Sequence, residues 1–254
     1  MMSAGLTMRN RVDNASTICA IIPARGGSKA IPRKNLVRVL DRPLIAHSIA
    51  HALASRGIGR VIVSTDDPEI ATVAKEWGAE VPFLRPEELA GDTVLDLPVF
   101  RHALLWLRDH EQYEPEIVVH LRPTAPIRLD GQIDRAIELL TSHPDADSVR
   151  SVSLPGAHPY RMFTIGDDGF LKPLLDTPHR EPYLLRRQDL PPVYWYNCVI
   201  DVTRRRTILD LHSMTGTAIL PFIISPSCVV DIDTPDDLVI AETKMRLLLG
   251  ENHP

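Results

Sequence analysis

The stretch "TICAIIPARGGSKAIPRKN" (17–35) decides how the rest of the chain is read. Its first part, "TICAII" (17–22), is short, apolar and β-branched, and predicts a buried strand. The thirteen residues that follow hold two glycines, two prolines, two arginines and two lysines. A loop that follows a strand lies at the carboxyl end of the sheet, where open α/β folds bind ligands. Gly26 and Gly27 allow close backbone approach and positive φ, so successive N–H groups can converge on an anion. Arg25, Lys29, Arg33 and Lys34 can neutralise phosphate charge, arginine through its planar fork and lysine as a point charge. The pattern is neither a Walker A loop, which ends in Gly-Lys-Ser/Thr, nor G-x-G-x-x-G. It fits a polyphosphate; the plain alternative is a solvated basic loop closed by a glycine turn.

Working outward, helical patterns alternate with β-branched runs. Helices are expected at 43–55, at 68–78 with Pro68 near its start and Gly78 after its end, and at 93–110 with Asp92 or Thr93 as cap. Two more are expected at 130–143, opened by Asp130, and at 235–249, with Pro235 and acidic residues in its first turn. Strands are expected at 60–65, 79–84, 116–121, 147–154 and 193–202, with late strand material at 221–233. This alternation predicts an α/β fold, a Rossmann-like, mostly parallel sheet with helices on both faces. The beat stops between 155 and 195, a proline-rich stretch in which "GDDG" (166–169) signals a hairpin turn, so an arm leaving the main sheet is expected there. The domain reading is a flexible leader at 1–16 and one domain at 17–254.

A length of 254 residues suffices for one such domain with a proper core. The net charge of -5 argues against general nucleic-acid binding but not against a local anion site. Cys19, Cys198 and Cys228 are neither a disulfide framework nor a zinc set. No apolar run approaches the length of a membrane span, and the first residues lack the apolar middle of a signal peptide. Cytoplasmic location, with no membrane partner, is the expectation. His47 and His51 have a zinc-pair spacing but no third ligand, so helix packing is the preferred reading, and the "TRRRT" run (203–207) is read as a solvated helix start.

A second polar cluster, "VVDIDTPDDL" (229–238), places Asp231 and Asp233 in alternation at a strand end, where they could share a hard cation such as Mg²⁺ or simply make a turn. Asp236 and Asp237 follow at a helix start, where they complement the helix dipole.

Together these pieces resemble the CMP-sialic acid synthetase family, the acylneuraminate cytidylyltransferases. The opening loop is similar to the family's "PARGGSKGIPRKN", with Ala30 in place of a glycine. "LRPEELAGDT" (84–93), "LRPTAPIR" (121–128), "RRQDLP" (186–191), "YNCVI" (196–200) and "DIDTPDDL" (231–238) resemble further family motifs in order. The resemblance implies a nucleotidyltransferase fold and CTP held by Ala24, Arg25, Gly26, Gly27, Ser28, Lys29, Lys34 and Asn35. Arg85 and Ala90 would lie near cytosine and ribose, with Asp92 and Thr93 close by, and Asp231 and Asp233 would hold Mg²⁺. Catalysis would rest on Arg25, Lys29, Lys34, Asp231 and Asp233. The implied reaction is in-line attack of an acceptor oxygen on the α-phosphorus of CTP, with pyrophosphate leaving.

The departures concern the acceptor. Arg122 stands where the family has glutamine, and Asn197-Cys198 where it often has Asn-Gly, with Trp195 just before. Arg161 and Arg187 fall near positions that are basic in the family's acceptor site. Arg122, Arg161, Arg187 and Asn197 are therefore the expected acceptor-binding set for a small anionic acceptor such as an acidic nonulosonate sugar. Converging arginines would also suit a small phosphonate, and for Arg122 a salt bridge to a nearby carboxylate is the equal alternative. A non-catalytic nucleotide-binding relative is the reading from another class. A homodimer built through the arm is implied by the resemblance.

Overall fold

The computed structural model describes residues 17–250, so the leader read at 1–16 lies outside the described residues. Strand β1 (Ile18–Pro23) is buried along nearly its whole length because both of its faces are covered. Ile18, Ala20 and Ile22 pack with Ile45 and Ile49 of helix α1 (Leu44–Ala54) and with Ile70 of helix α2 (Pro68–Glu76). Cys19 and Ile21 face the other way, against Phe100, Leu104 and Leu107 of helix α3 (Asp96–Glu111). The period-2 side-chain alternation of a strand thus splits one apolar run between two cores.

A six-stranded sheet in the order β10-β6-β9-β5-β1-β4 carries the fold. Strands β4 (Arg60–Ser64) and β5 (Ile117–His120) flank β1 in parallel, and β10 (Ile219–Ile223) lies parallel to β6 (Ser148–Ser153). Strand β9 (Trp195–Arg204) runs antiparallel between β5 and β6, an orientation that alternation alone does not reveal. From β1 the chain moves outward to β4 and then returns to place β5 on the opposite side. The gap between the carboxyl ends of β1 and β5 is therefore a topological switch point, where open α/β sheets form their ligand crevice.

The remaining elements are helix α4 (Gln132–Thr141), the short α5 (Arg205–Leu209), α6 (Pro235–Leu248) and two small ladders, β2 (Arg38–Val39) with β3 (Arg42–Pro43) and β7 (Phe163–Ile165) with β8 (Leu171–Pro173). The β7–β8 hairpin falls in the proline-rich stretch 155–195, pairs outside the main sheet and turns at Gly166–Gly169 as "GDDG" predicts, with Gly169 at a φ of 78°. No helix among the described residues is long and apolar enough to cross a membrane.

Several boundaries differ from expectation for identifiable reasons. The stretch 79–84 makes only an isolated bridge, Glu80 to Ile62, rather than a strand. Helix α3 starts at Asp96, not at 93, because Asp92 is drawn into ion pairs with the basic loop. Pro98 then sits in the first turn, where its missing N–H forfeits no helical bond. Helix α4 is opened by Gly131, in the left-handed region, rather than by Asp130. The chain at 229–233 is not a strand, although Ile232 is buried between exposed Asp231 and Asp233, so the expected alternation survives without a ladder. In the basic run, Arg204 is not simply solvated: it donates to the carbonyls of Leu140, His143 and Ala146 at the end of α4.

Candidate active site

At the switch point the chain leaves a cleft of about 310 Å³, lined among others by Arg25, Ser28, Lys34, Asn35, Arg85, Asp92 and Arg122. These come from three separate stretches, the loop after β1, the segment 85–96 and the turn after β5. All but Arg122 belong to the expected nucleotide set.

The loop after β1 is fixed by its own polar contacts. Gly26 donates its N–H to Asp66 at 3.0 Å, and Asn35 donates to the carbonyl of Arg25 at 2.9 Å. A Cβ on Gly26 would meet Asp67 Oδ2 at 2.7 Å, so this glycine is required by close approach, whereas Gly27 opens onto free space. Arg25 pairs with Asp92 at 2.8 Å, and Lys29 pairs with the same carboxylate from the other side. Lys29 first, and then the charge of Arg25, hold Asp92 below the ordinary carboxylate range. Arg33, at a φ of 57°, turns away and pairs with Asp67 and Glu69 at the start of α2. Arg33 therefore differs from the other loop cations in serving the loop's own fold. Lys29, Gly26, Gly27, Ala24, Ala90 and Thr93 adjoin the cleft in the chain without lining it.

Lys34 bridges to the far end of the sequence. Its Nζ donates to the carbonyl of Ile232 at 2.7 Å and to Asp233 at 3.1 Å. Ile232 in turn donates its N–H to Thr124, which lines the cleft. Asp231 and Asp233 are thereby held beside the loop. Asp237 is spent on capping: it accepts from the N–H groups of Asp233 and Thr234 and closes a capping box with Thr234.

Arg85 is buried under the cleft. It donates to the Ser64 hydroxyl at 3.1 Å and to the Ser64 carbonyl, and burial lowers its pKa. Its fork thus ties the 85–96 segment to the end of β4.

The floor of the cleft holds a second charged group, in which Arg122 meets partners that the sequence did not announce. Arg122 donates to Asp201 at 2.7 Å and to Asp96 at 2.8 Å. Burial opposes its charge, but the Asp201 carboxylate, the Tyr196 phenol and Asp96 outweigh that and raise its pKa. Tyr196 donates its hydroxyl to the same oxygen of Asp201, and Arg150 Nη1 stands 3.2 Å from it, off the hydrogen-bond axis. Asp201, Arg150 and His120 are neighbours across β9, β6 and β5 because register pairs Asp201 with both others. Burial, followed by Arg122, Arg150 and Arg128, keeps the His120 ring neutral. The Arg128 guanidinium donates to the Val199 and Arg122 carbonyls and to the Ser48 hydroxyl, and burial pushes its pKa down to about 9. Arg122 thus makes the salt bridge of the alternative reading while also lining the cleft.

The three arginines expected around the acceptor do not converge within one chain. Arg161 and Arg187 line a separate depression of about 220 Å³ beside Leu154 and Pro191. Asn197 is buried and bonds to Ser151, Ser153 and the Val199 N–H, so its amide organises the β6–β9 pairing rather than facing the cleft. Cys198 takes a φ of 62°, and all three cysteines are free thiols. His47 bonds to the Val39 carbonyl, and among the described residues no group of three or more His, Cys, Asp or Glu side chains is placed to hold a metal ion.

Residues 19–215 match the cytidylyltransferase family. The chain is 30% identical over 227 residues to post-translational flagellin modification protein B of Campylobacter coli, covering 89% of this chain and 94% of that protein. It is 35% identical over 237 residues to CMP-N,N'-diacetyllegionaminic acid synthase of Legionella pneumophila, covering 91% and 97%. Among solved structures it superposes on CMP:2-keto-3-deoxy-manno-octonic acid synthetase complexed with CTP at a TM-score of 0.67 and 17% identity, covering 91% of this chain and 99% of that one. It also superposes on 4-diphosphocytidyl-2C-methyl-D-erythritol synthase of Anaerococcus prevotii, at a TM-score of 0.61 and 13% identity, covering 90% and 98%. These two likenesses establish the fold.

Proposed function

The chain is a cytidylyltransferase of the CMP-sialic acid synthetase-like family, and from that premise we propose that it transfers CMP from CTP to an acidic nonulosonate sugar and releases pyrophosphate. The observation that carries this reading is the single cleft that unites Arg25, Ser28, Lys34 and Asn35 with Arg122 at the switch point. One wall is furnished for phosphate and the floor for a carboxylate, which is what the two substrates of such a transfer present. The relative from Legionella pneumophila, named for a CMP-linked nonulosonate, points to the same acceptor class.

In this reading the loop amides around Gly27, with Arg25, Lys29 and Lys34, bind the triphosphate and neutralise charge as pyrophosphate departs. Arg85, Ala90, Asp92 and Thr93 belong to the cytosine and ribose side. No side chain needs to become a covalent intermediate, because the acceptor oxygen is the nucleophile and alignment supplies the catalysis.

A divalent cation fits the residues present. Asp231 and Asp233 offer hard oxygen donors at the exposed rim. Asp233 is met by Lys34, and Asp231 accepts no hydrogen bond among the described residues. Mg²⁺ bound there would neutralise phosphate charge and polarise the phosphoryl group. Lys34 holds the two-aspartate segment against the loop through the Ile232 carbonyl and Asp233.

Ile165, Phe170 and Leu171 of the arm and Leu184 beside it are exposed, which favours a homodimer in which this apolar arm is covered by a second copy. A monomeric mass at micromolar concentration contradicts that part. The transfer itself is tested by pyrophosphate release with CTP, UTP, ATP and GTP against N,N'-diacetyllegionaminate and N-acetylneuraminate. Release with CTP alone supports the reading, and equal release with UTP or ATP contradicts it.

A further inference from the structure

The floor of the cleft holds an ion pair whose two ends are built differently. Arg122 is gripped from beneath by Asp201, which is 0% exposed and shares its oxygen with Tyr196 and Arg150. The outer nitrogen of Arg122 is met by Asp96, whose side chain is 40% exposed and lines the same cleft. Buried Arg128 and Arg150 and partly buried Arg122 stand against buried Asp201 and half-exposed Asp96, three positive groups against two negative. The neutral His120 ring does nothing to change that excess. A low-dielectric floor with surplus positive charge holds an anion at its one open edge, and Asp96 occupies that edge.

We infer that Asp96 is the exchangeable counter-anion of Arg122, and that the carboxylate of the acceptor takes its place. This rests on the transfer reading above and adds the residue that sets the strength of acceptor binding. Asp201 cannot leave, because an uncompensated carboxylate would remain in the core. Asp96 can, because it is half in solvent and opens α3, where the positive end of the helix dipole still favours its charge after Arg122 is released. The guanidinium then offers its outer edge to a carboxylate at a site already held in orientation by Asp201, Tyr196 and Arg150. Asp201 is a positioning residue for Arg122, and Asp96 is its competitor.

If Asp96 were only a staple between β5 and α3, removing its charge would cost stability and leave acceptor binding alone. The test is Asp96→Asn, assayed by pyrophosphate release with N,N'-diacetyllegionaminate and with its methyl ester. The exchange predicts an acceptor KM lowered about threefold to tenfold, the size of a partly exposed ion pair, with CTP KM within about twofold. The ester, which lacks the carboxylate, should show no gain. An unchanged or raised acceptor KM, or a gain that the ester shares equally, overturns the inference. Asp96→Ser, which keeps a residue suited to the helix start, repeats the test if the asparagine variant melts early. Wild-type protein that transfers CMP to no sugar acid sinks the transfer reading. The exchange is then read by calorimetry with N,N'-diacetyllegionaminate in the presence of CMP: severalfold tighter binding by Asp96→Asn sustains it, and equal binding sinks it too.

Discussion

Two sets of cations stand around one cleft, and they are held in opposite ways. The loop after β1 carries Arg25, Lys29 and Arg33 on side chains that are 35%, 83% and 42% exposed, each balanced by a carboxylate that is itself in reach of water. The floor carries Arg128 and Arg150 in the interior and Arg122 at its partly buried surface, balanced by a wholly buried Asp201 and by bonds to carbonyls. Surface pairs contribute little to stability and exchange partners readily, whereas a buried pair that loses one member leaves a charge stranded. The loop is therefore suited to receive and release a highly charged nucleotide. The floor is suited to hold one arginine in one orientation. Lys34 belongs to neither group alone, since it is mostly buried but reaches the exposed Asp233.

The largest expected effect lies where the loop meets the metal-type aspartates. Asp233→Ala should reduce pyrophosphate release by about a hundredfold or more while CTP affinity changes by less than about tenfold. Near-normal turnover with an unchanged Mg²⁺ titration would remove Asp233 from the reaction. Next comes the floor. Arg122→Met should raise the acceptor KM and cost about 3–5 kcal/mol of stability, because Asp201 is left buried without its principal partner. A variant that melts like the wild type would show that Asp201 does not depend on Arg122, and the contrast between floor and loop would fail. Gly26→Ala should raise CTP KM by about tenfold with little change for the acceptor, since the new Cβ displaces the loop from Asp67 at a cost of about 1–3 kcal/mol. The smallest effects belong to the exposed cations. Lys29→Ala should weaken CTP binding by only about twofold to fivefold, less so in high salt. Arg33→Ala should leave CTP KM unchanged, and a rise there would return Arg33 to the phosphate side.

The same contrast explains what could be read from the sequence. The loop after β1 was legible as a cation-bearing turn at the sheet's carboxyl end because its signals are local: a strand, a glycine pair and cations within a short stretch of chain. Helix α2 was legible for the same reason, with Pro68 at its first position, Asp67 capping it and Gly78 at a φ of 90° just past its end. The floor was not legible, because Asp96, Asp201 and Arg150 are brought to Arg122 by α3 and by strand register across β9 and β6. Each of the three reads in sequence as an ordinary polar residue of a helix or strand. The late start of α3 was missed on the same grounds: Asp92 has a good capping side chain, but two cations from the loop after β1 claim it. Arg161 and Arg187 illustrate the converse. Their basic character is plain in sequence, yet the chain sets them in a different depression from Arg122.

The identity of the product decides whether this cleft transfers CMP to a sugar acid. The most direct measurement incubates the protein with CTP, Mg²⁺ and N,N'-diacetyllegionaminate and follows the CMP ester by mass spectrometry and pyrophosphate by coupled assay. The expected result is one CMP-sugar formed for each pyrophosphate released, and a markedly lower yield with the sugar's methyl ester at the same concentration. Pyrophosphate without a CMP-sugar, or a CMP adduct formed only with a small phosphonate added in place of the sugar, would contradict it.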